Sequence, residues 1–298
     1  MQRILKYQKD NESIEIGASP YYFDSITGLS NTSSEISSSI VILQDGIRVN
    51  NITAKERVIS ITGRIRGKNR KEAFELRRRL IHTFSAKRGI GKLTVVYSDG
   101  TEYYIEAIAE SGVEITEQNA SEQQANVFEF SIDLLCPYSF FKQEEVFETH
   151  FTQINPLWSF EMSIDADDEN SFQFGDVYHK NSTTLDNKGD VPSGFYCKIE
   201  GTITDWFLLK HLDKDKEIRI ENVDFKKVKS IDIYSQTGNK KVYINYTDGR
   251  RELAYKYMSI NSEFFELSAG KNNIYFETNS KDVDLNVSLE YKSLFAGI

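Results

Sequence analysis

The side chains best suited to catalysis or metal binding are few in this sequence. The four histidines, His82, His150, His179 and His211, are far apart, and none has the H-x-x-x-H spacing that places two ligands on one helix face. The serine elbow G-x-S-x-G and the dinucleotide fingerprint G-x-G-x-x-G are absent. The sequence therefore predicts no catalytic residues, no metal site, no cofactor and no enzyme. Two strand carboxylates that act on a glycosidic bond stay an open alternative, although no pair stands out.

Two acidic segments have part of the composition of a cation-binding loop. Residues 165–170 begin like a calcium loop, but Asn170 occupies the sixth position, where the sharp turn requires glycine. In residues 213–217, interleaved lysines cancel the charge that a cation needs. We therefore expect both segments to be solvated loops. Residues 66–71 contain glycine and basic side chains without the spacing of a phosphate loop.

A basic segment stands out from the rest of the chain. Residues 57–92 contain twelve Lys and Arg and two acids, a net charge of +10 in a chain whose net charge is −9. The densest part is a candidate patch made of Arg66, Lys68, Arg70, Lys71, Arg77, Arg78 and Arg79. Three interpretations remain open: a solvated helix face, a nucleic-acid site, or a docking surface for an acidic subunit or partner. The acidity of the whole chain argues against a general nucleic-acid binder.

One long helix is predicted to carry part of this segment. Asn69 and Glu72 have the spacing of a capping box. Ala73, Leu76, Leu80 and Phe84 follow at helical spacing, and Phe74 and Ile81 widen this stripe. We expect the stripe to pack on a sheet and the arginines to point largely outward.

The remaining chain has the pattern of strands and turns. Apolar residues alternate over Arg57–Arg66, and two strand patterns flank the hairpin signal at Asp99 and Gly100. Asp248 and Gly249 mark a second hairpin turn. Further strands are expected at 13–16, 39–43, 127–135, 159–164, 195–203, 218–223, 230–234, 242–246, 264–267, 273–277 and 286–291. Frequent turns between short strands favour a β-sandwich, and Pro137 marks a domain boundary. The sequence predicts a mainly β fold with two domains, residues 1–145 and 146–298.

Composition places the protein among soluble globular chains. It has 298 residues, of which 39% are hydrophobic and 27% are charged. Cys136 and Cys197 form neither a metal spacing nor a disulfide framework. The first residues lack the apolar run of a signal peptide. We therefore expect the protein to fold in a cytoplasm.

Several motifs, taken in order, resemble the distal tail protein family of tailed phages. The first block is RVISITGRIRG at 57–67, followed by LRRRL at 76–80, GKL at 91–93 and the Asp99–Gly100 hairpin. The second is FEFSIDLLCPYSFF at 128–141, and the third is NKGDVP at 187–192. The fourth is FFELSAGKNNIY at 264–275, which is similar to the family's L-x-x-G-x-N turn. YKSLFAG at 291–297 closes the chain.

This resemblance implies a fold and an assembly. Domain 1–145 would be a tail-tube-like β-sandwich or split barrel with one helix, and domain 146–298 a galectin-like β-sandwich. Six copies would form a homohexameric ring at the tip of a virion tail or phage-tail-like particle, assembled in the bacterial host cytoplasm. The implied partners are the tail tube protein, a tail-associated hub, fibre or lysin protein, and a receptor-binding protein. No membrane and no specific nucleic acid is implied. In such a ring, the basic patch would contact a neighbouring subunit or partner.

Two other functions remain alternatives. The second domain could be a carbohydrate-binding module that acts in host-surface attachment, and Trp158 and Trp206 are its candidate stacking residues. No polar cluster is evident beside either tryptophan in the sequence, which favours core or interface packing. The other alternative is a glycoside hydrolase related to tail-associated lysins.

Overall fold

The computed structural model describes residues 3–30, 33–40, 45–116, 126–150, 152–155, 176–179, 181–201, 203–279 and 285–298. The chain divides into two compact units, Met1–Glu144 with Leu294–Ile298, and Glu145–Ser293. The sequence assigned the last five residues to the second domain, whereas they belong to the first unit. Independent folding of the two units stays a prediction. No described helix combines the length and the apolar character that crossing a membrane requires.

The secondary structure is mainly β. The first unit contains β1 (Ile4–Lys9), β2 (Glu12–Ile16), β3 (Tyr21–Thr27), β4 (Ser34–Ile40), β5 (Ile47–Ala54), β6 (Arg57–Arg66), α1 (Arg70–Thr83), β7 (Gly91–Val96), β8 (Glu102–Thr116), β9 (Val127–Cys136) and β10 (Phe141–Lys142). The second contains β11 (Phe147–His150), β12 (Thr152–Asn155), β13 (Asp176–His179), β14 (Ser182–Asn187), β15 (Phe195–Gly201), β16 (Trp206–His211), β17 (Lys216–Glu221), β18 (Val228–Gln236), β19 (Asn239–Tyr246), β20 (Arg251–Leu253), β21 (Gly270–Thr278) and β22 (Leu285–Tyr291). The last strand, β23 (Leu294–Phe295), returns to the first unit.

Strand β8 links the two halves of the main sheet in the first unit. The strand order is β2-β1-β7-β8-β9-β6-β3. The first half of β8 pairs with β7 and the second half with β9, with a register shift between Ala109 and Val113. Gly112 lies in this irregularity with φ +84°, a conformation that glycine adopts without steric cost. The bulge lets one strand serve both halves, which fits the predicted split-barrel character.

The apolar stripe of α1 packs into the core of the first unit, as predicted. Ala73, Leu80 and Phe84 are buried, and the Phe84 ring stacks on Tyr7 at a centroid distance of 4.3 Å. The prediction that Phe74 widens this stripe is wrong, because 40% of its surface is exposed. The same correction applies to Ile81, which is 43% exposed. The buried face is therefore narrower than the sequence indicated.

The start of α1 departs slightly from a capping box. The Asn69 side chain accepts a hydrogen bond from the Glu72 backbone N–H at 2.9 Å, as a helix cap does. The Glu72 carboxylate accepts from the Lys68 backbone N–H at 2.6 Å, whereas a capping box would use the N–H of Asn69. Both bonds satisfy N–H groups near the helix start, so the cap remains effective.

Arg57 connects distant parts of the first unit. It is only 3% exposed, and its guanidinium lies 4.7 Å from the centroid of the Phe141 ring. Its N–H groups donate to the backbone carbonyl oxygens of Gly28, Ser30, Ser139 and Ala296. A buried cation is costly unless it is hydrogen-bonded, and these carbonyls supply the bonds. One side chain thus joins the β3–β4 connection, the end of the first domain and the C-terminus.

The second unit is built around two antiparallel sheets. The strand orders are β11-β22-β15-β18-β19-β20 and β14-β21-β16-β17. Side chains from both sheets form one hydrophobic cluster, including Phe195, Phe207, Ile233 and Leu289. Strands β12 and β13 form a separate pair. Two sheets sharing a core agree with the predicted β-sandwich.

Two buried asparagines hold the turns that carry the third and fourth motifs. Asn187 Nδ2 donates to the carbonyls of Val191 and Leu267, and its Oδ1 accepts from the Gly189 N–H. Asn272 accepts from the Ser268 N–H at 2.7 Å and donates to the carbonyls of Ser268 and Gly270. Each asparagine side chain therefore supplies hydrogen bonds to backbone N–H and C=O groups that have no backbone partner within the turn.

The mainly β fold class and the single long helix are confirmed within the described residues. The two predicted hairpins are present, since β7 pairs with β8 and β19 pairs with β20. The predicted strand at 264–267 is wrong, because this stretch makes only an isolated bridge between Leu267 and Ser193. The predicted strand at 159–164 lies outside the described residues.

Candidate assembly surfaces

The histidines occupy separate local environments. His82 lies 3.4 Å from the Glu12 carboxylate, and His150 lies 3.1 Å from that of Glu148. His211 is buried, and His179 lies on β13. Over the described ranges, no group of three or more His, Cys, Asp or Glu side chains is arranged to hold a metal.

The acidic segment 213–217 uses its charges in local contacts. Asp213 accepts from the backbone and side-chain N–H groups of Asn273, which lowers the pKa of its carboxyl group. Asp215 pairs with Lys210 at 2.6 Å. Residues 213–215 lie in the turn between β16 and β17, as the predicted loop requires, whereas residues 216 and 217 belong to β17, so the loop prediction is wrong for them. The other acidic segment, 165–170, lies outside the described residues.

The cations of the basic segment fall into two groups. Several are paired within the first unit: Arg64 with Asp24, Arg88 with Asp10 and Glu12, and Lys92 with Glu144. In the part of the chain that the structure describes, Arg66, Lys68, Lys71 and Arg78 have no carboxylate at ion-pair distance, and all four are exposed. The predicted patch is thus concentrated on α1 and its approach.

Aromatic rings position some of the patch arginines. The Arg77 guanidinium lies 5.9 Å from the Phe74 ring centroid and 5.5 Å from that of Phe128. Arg70 lies 5.7 Å from the Phe74 centroid. Arg79 donates to the Ser13 carbonyl at 3.1 Å. The α1 surface therefore combines a half-exposed aromatic ring with several positive charges, which is a common composition for an interface. The patch remains a prediction as a binding surface.

A second surface was not recognised from the sequence. Strands β4 and β5 form a two-stranded hairpin that pairs with no other described strand, and we call it the apolar arm. Residues directly opposite in an antiparallel pair share a face. The register pairs Ile36 with Ile52 and Ile40 with Ile47. Val49, opposite Ser38, lies on this face as well.

The apolar face of the arm is open to solvent. Its five large aliphatic side chains, Ile36, Ile40, Ile47, Val49 and Ile52, are between 49% and 83% exposed. The opposite face carries polar residues, including Glu35, Ser37 and Thr53. An isolated two-stranded hairpin is at best marginally stable in water. The exposed apolar face makes the arm a candidate interaction surface.

Known proteins resemble part of the chain in sequence and nearly all of it in fold. Residues 188–295 match the family model of the siphovirus-type tail component, C-terminal domain. Over 98% of its length, the chain superposes on 99% of the SPP1 Dit protein, a hub of the adsorption apparatus in phages that infect Gram-positive bacteria, with a TM-score of 0.61 and 12% identity. The phage P2 baseplate in its activated conformation with Ca gives a TM-score of 0.48, with 10% identity over 98% of each chain. No curated protein sequence matches the chain.

The family match and the fold shared with SPP1 Dit confirm the resemblance drawn from the motifs. The family match contains the fourth motif, in which Asn272 holds the turn, and all of the third motif except its first residue, Asn187. The likeness in fold to SPP1 Dit also covers the first unit, of which the family match includes only residues 294 and 295. Residues 188–295 are thus similar to the tail-component domain, and the chain has a fold similar to that of SPP1 Dit.

Proposed function

We propose that this chain, which carries a siphovirus-type tail component domain and has the fold of SPP1 Dit, is the structural hub protein of a phage tail tip or baseplate. In this proposal the chain is not an enzyme. Six copies form a ring that joins the tail tube protein to the tail-associated fibre or lysin protein and to receptor-binding components. Its place is the tail tip of a virion or of a phage-tail-like particle, and it assembles in the cytoplasm of the bacterial host.

The observation that carries the proposal is the apolar arm. Its large aliphatic side chains lie on one face of a hairpin, with no core of their own beneath them. Burying such side chains contributes about 25 cal/mol per Å² of apolar surface removed from water. A second copy of the chain supplies this cover in the proposal, because each copy both presents an arm and can receive one. Repeated around a rotation axis, such a head-to-tail contact closes into a ring.

The charge of the basic patch is a second, independent argument for the same assembly. The chain outside residues 57–92 is strongly acidic, so a neighbouring copy presents many carboxylates. Unlike charges brought together across an interface fix its register and suppress wrong pairings. In the proposal, the arm provides most of the binding energy and the patch selects the orientation. The tail tube or tail-associated protein is the second acceptor for the patch.

The experiment tests the arm with a matched pair of double variants. Ile36→Ser with Ile52→Ser removes one opposed pair from the apolar face, and Glu35→Ser with Thr53→Ser changes the next pair on the polar face. We expect light scattering to give a hexamer for the wild type and the polar-face variant, and smaller species for the apolar-face variant. Thermal unfolding of the apolar-face variant should show that its core is intact, because these residues are exposed. Equal masses for both variants would contradict the role of the arm.

A further inference from the structure

The outer face of the six-stranded sheet in the second unit has an unusual composition. Three tyrosines lie on neighbouring strands: Tyr196 on β15, Tyr234 on β18 and Tyr243 on β19. The Tyr196 and Tyr234 rings are 4.9 Å apart, and Tyr234 and Tyr243 meet edge to face at 6.2 Å. All three are half-buried. Together with Asp232, Asn245 and Arg251 they form what we call the tyrosine face.

Asp232 organises the polar part of the tyrosine face. Its carboxylate accepts from the Tyr196 hydroxyl at 3.1 Å, from Asn245 Nδ2 at 2.9 Å and from an Arg251 Nη2 at 3.2 Å. The Arg251 guanidinium also lies 4.0 Å from the Tyr243 ring centroid. The side chain of Asp232 is 10% exposed, whereas that of Arg251 is 49% exposed. A mostly buried carboxylate therefore fixes groups that still face solvent with unused donors and acceptors.

The charges on this sheet face nearly cancel. Outward positions on its six strands carry four acids, Glu148, Glu200, Asp232 and Glu290, and three bases, Lys198, Lys241 and Arg251. The whole chain, in contrast, has a net charge of −9. A face with nearly equal numbers of both signs favours neither an anionic nor a cationic ligand strongly. It offers paired donors and acceptors to a neutral ligand.

Protein docking is a weaker match for the same face. Tyrosine and arginine are common at protein interfaces, but the interface centre is depleted of Asp, Glu and Lys, of which the outward positions of this sheet carry six. Among the described outward positions of these strands, Leu253 is the only aliphatic side chain. The tyrosine face instead combines aromatic rings with amide, guanidinium and carboxylate groups held in place. Fixed polar groups cost little conformational entropy on binding.

We propose that the tyrosine face binds a neutral saccharide. The C–H groups of a sugar ring pack on a tyrosine, while Asn245 and Arg251 hydrogen-bond to its hydroxyls, and Asp232 holds these two side chains in position. From the sequence, the candidate residues for stacking on a sugar were Trp158 and Trp206. Trp206 is on a different sheet. That residue lies on β16, in the four-stranded sheet, where the Arg219 guanidinium is 4.5 Å from its ring centroid. Trp158 lies outside the described residues. The proposal does not depend on ring assembly.

The two cation–aromatic pairs provide a matched test. Saturation-transfer NMR of the full chain uses lactose, cellobiose, maltose and N,N′-diacetylchitobiose as probes, which differ in hydroxyl configuration and substitution. We expect saturation transfer from the protein to at least one of these disaccharides. The dissociation constant for that disaccharide should rise about tenfold or more in Arg251→Ala, because the variant lacks one charged hydrogen-bond donor. Arg219→Ala should leave the constant unchanged within about twofold.

The two arginine variants show whether the sugar binds on the six-stranded sheet or on the four-stranded sheet. A larger loss in Arg219→Ala than in Arg251→Ala would place the sugar at Trp206 and overturn the proposal. Absence of transfer to all four disaccharides would overturn it as well. Asn245→Ala is a second variant in case Arg251→Ala unfolds, and it should weaken binding in the same direction, since Asn245 contacts the same carboxylate. Binding unchanged in Asn245→Ala would contradict the assignment.

Discussion

The guanidinium of Arg57 donates a hydrogen bond to the carbonyl oxygen of Ala296, 239 residues further along the chain. Ile298 reinforces this contact, because its N–H donates to the carbonyl of Leu29 at 3.0 Å. The second unit is thus an insertion within the first, since the chain leaves the first unit at Glu144 and returns at Leu294. A piece that ends near residue 145 would lack β23 and one acceptor of a buried cation.

Arg57→Lys is predicted to destabilise the first unit. A lysine carries one ammonium on a flexible stem and cannot reach carbonyls on several sides as a planar guanidinium does. We expect a loss of about 3 kcal/mol in the free energy of unfolding. The control is Arg64→Lys on the same strand, an exposed partner of Asp24, which should change little. Urea denaturation measures both, and identical midpoints for the two variants would refute the role given to Arg57.

His211 is predicted to make the second unit sensitive to acid. Its Nε2 lies 2.9 Å from Asn272 Oδ1, and its buried Nδ1 has no hydrogen-bond partner among the described residues. Burial lowers the pKa of His211 below its ordinary value near 6.5. The unfolded chain therefore takes up a proton before the folded chain does, so stability is full above about pH 6.5 and falls as the pH drops below it.

The measurement compares the free energy of unfolding at pH 7.5 and pH 5.5 in the wild type and in His211→Gln. Uptake of one proton by the unfolded chain lowers the free energy of unfolding by at most about 1.4 kcal/mol per pH unit. We expect the wild type to lose more stability than the variant over this range. The exposed His150, which lies beside Glu148, provides the control substitution His150→Gln. Equal losses in the wild type and His211→Gln would exclude His211 as the source.

Charge reversal on α1 is predicted to weaken assembly without unfolding the monomer. Lys71→Glu with Arg78→Glu avoids Arg77, whose contacts with Phe74 and Phe128 contribute to packing. Lys226→Glu with Lys229→Glu makes the same charge change at exposed positions of the second unit and serves as the control. Sedimentation velocity should show fewer assembled particles for the α1 variant only. Wild-type assembly should also weaken with salt, because exposed charges are screened over about 10 Å at 0.1 M.

Two outcomes would contradict this interpretation of the patch. Normal assembly of the α1 variant at every salt concentration would mean a solvated helix face. DNA affinity with a steep salt dependence, together with normal assembly, would indicate a nucleic-acid site instead.

The sequence predicted correctly those features that depend only on residues close together in the chain. The α1 stripe and the hairpins at Gly100 and Gly249 depend on neighbours within a few residues, and they are present in the structure. The four acceptors of Arg57 could not be predicted, because they come from segments up to 239 residues away. The apolar arm was missed for a different reason. Its face emerges only from the β4–β5 register, in which a bulge at Ser37 and Ser38 shifts the pairing.

The two proposed binding surfaces differ in how far the sequence could predict them. Arg66, Lys68 and Lys71 were recognisable from charge density alone. The tyrosine face was not, since Tyr196, Asp232 and Arg251 come from three strands that only the sheet order brings together. The turns at Asn187 and Asn272 were recognised as motifs, but their roles became clear only from the hydrogen bonds of their side chains.

The central claim is that this chain forms a closed six-membered ring. Negative-stain electron microscopy of the purified full chain, with class averages computed without imposed symmetry, tests it most directly. The account predicts rings with six-fold rotational symmetry in the wild type, and their loss in the double variant Ile36→Ser with Ile52→Ser. Particles that remain monomeric at micromolar concentration, even when the tail tube protein is added, would contradict it.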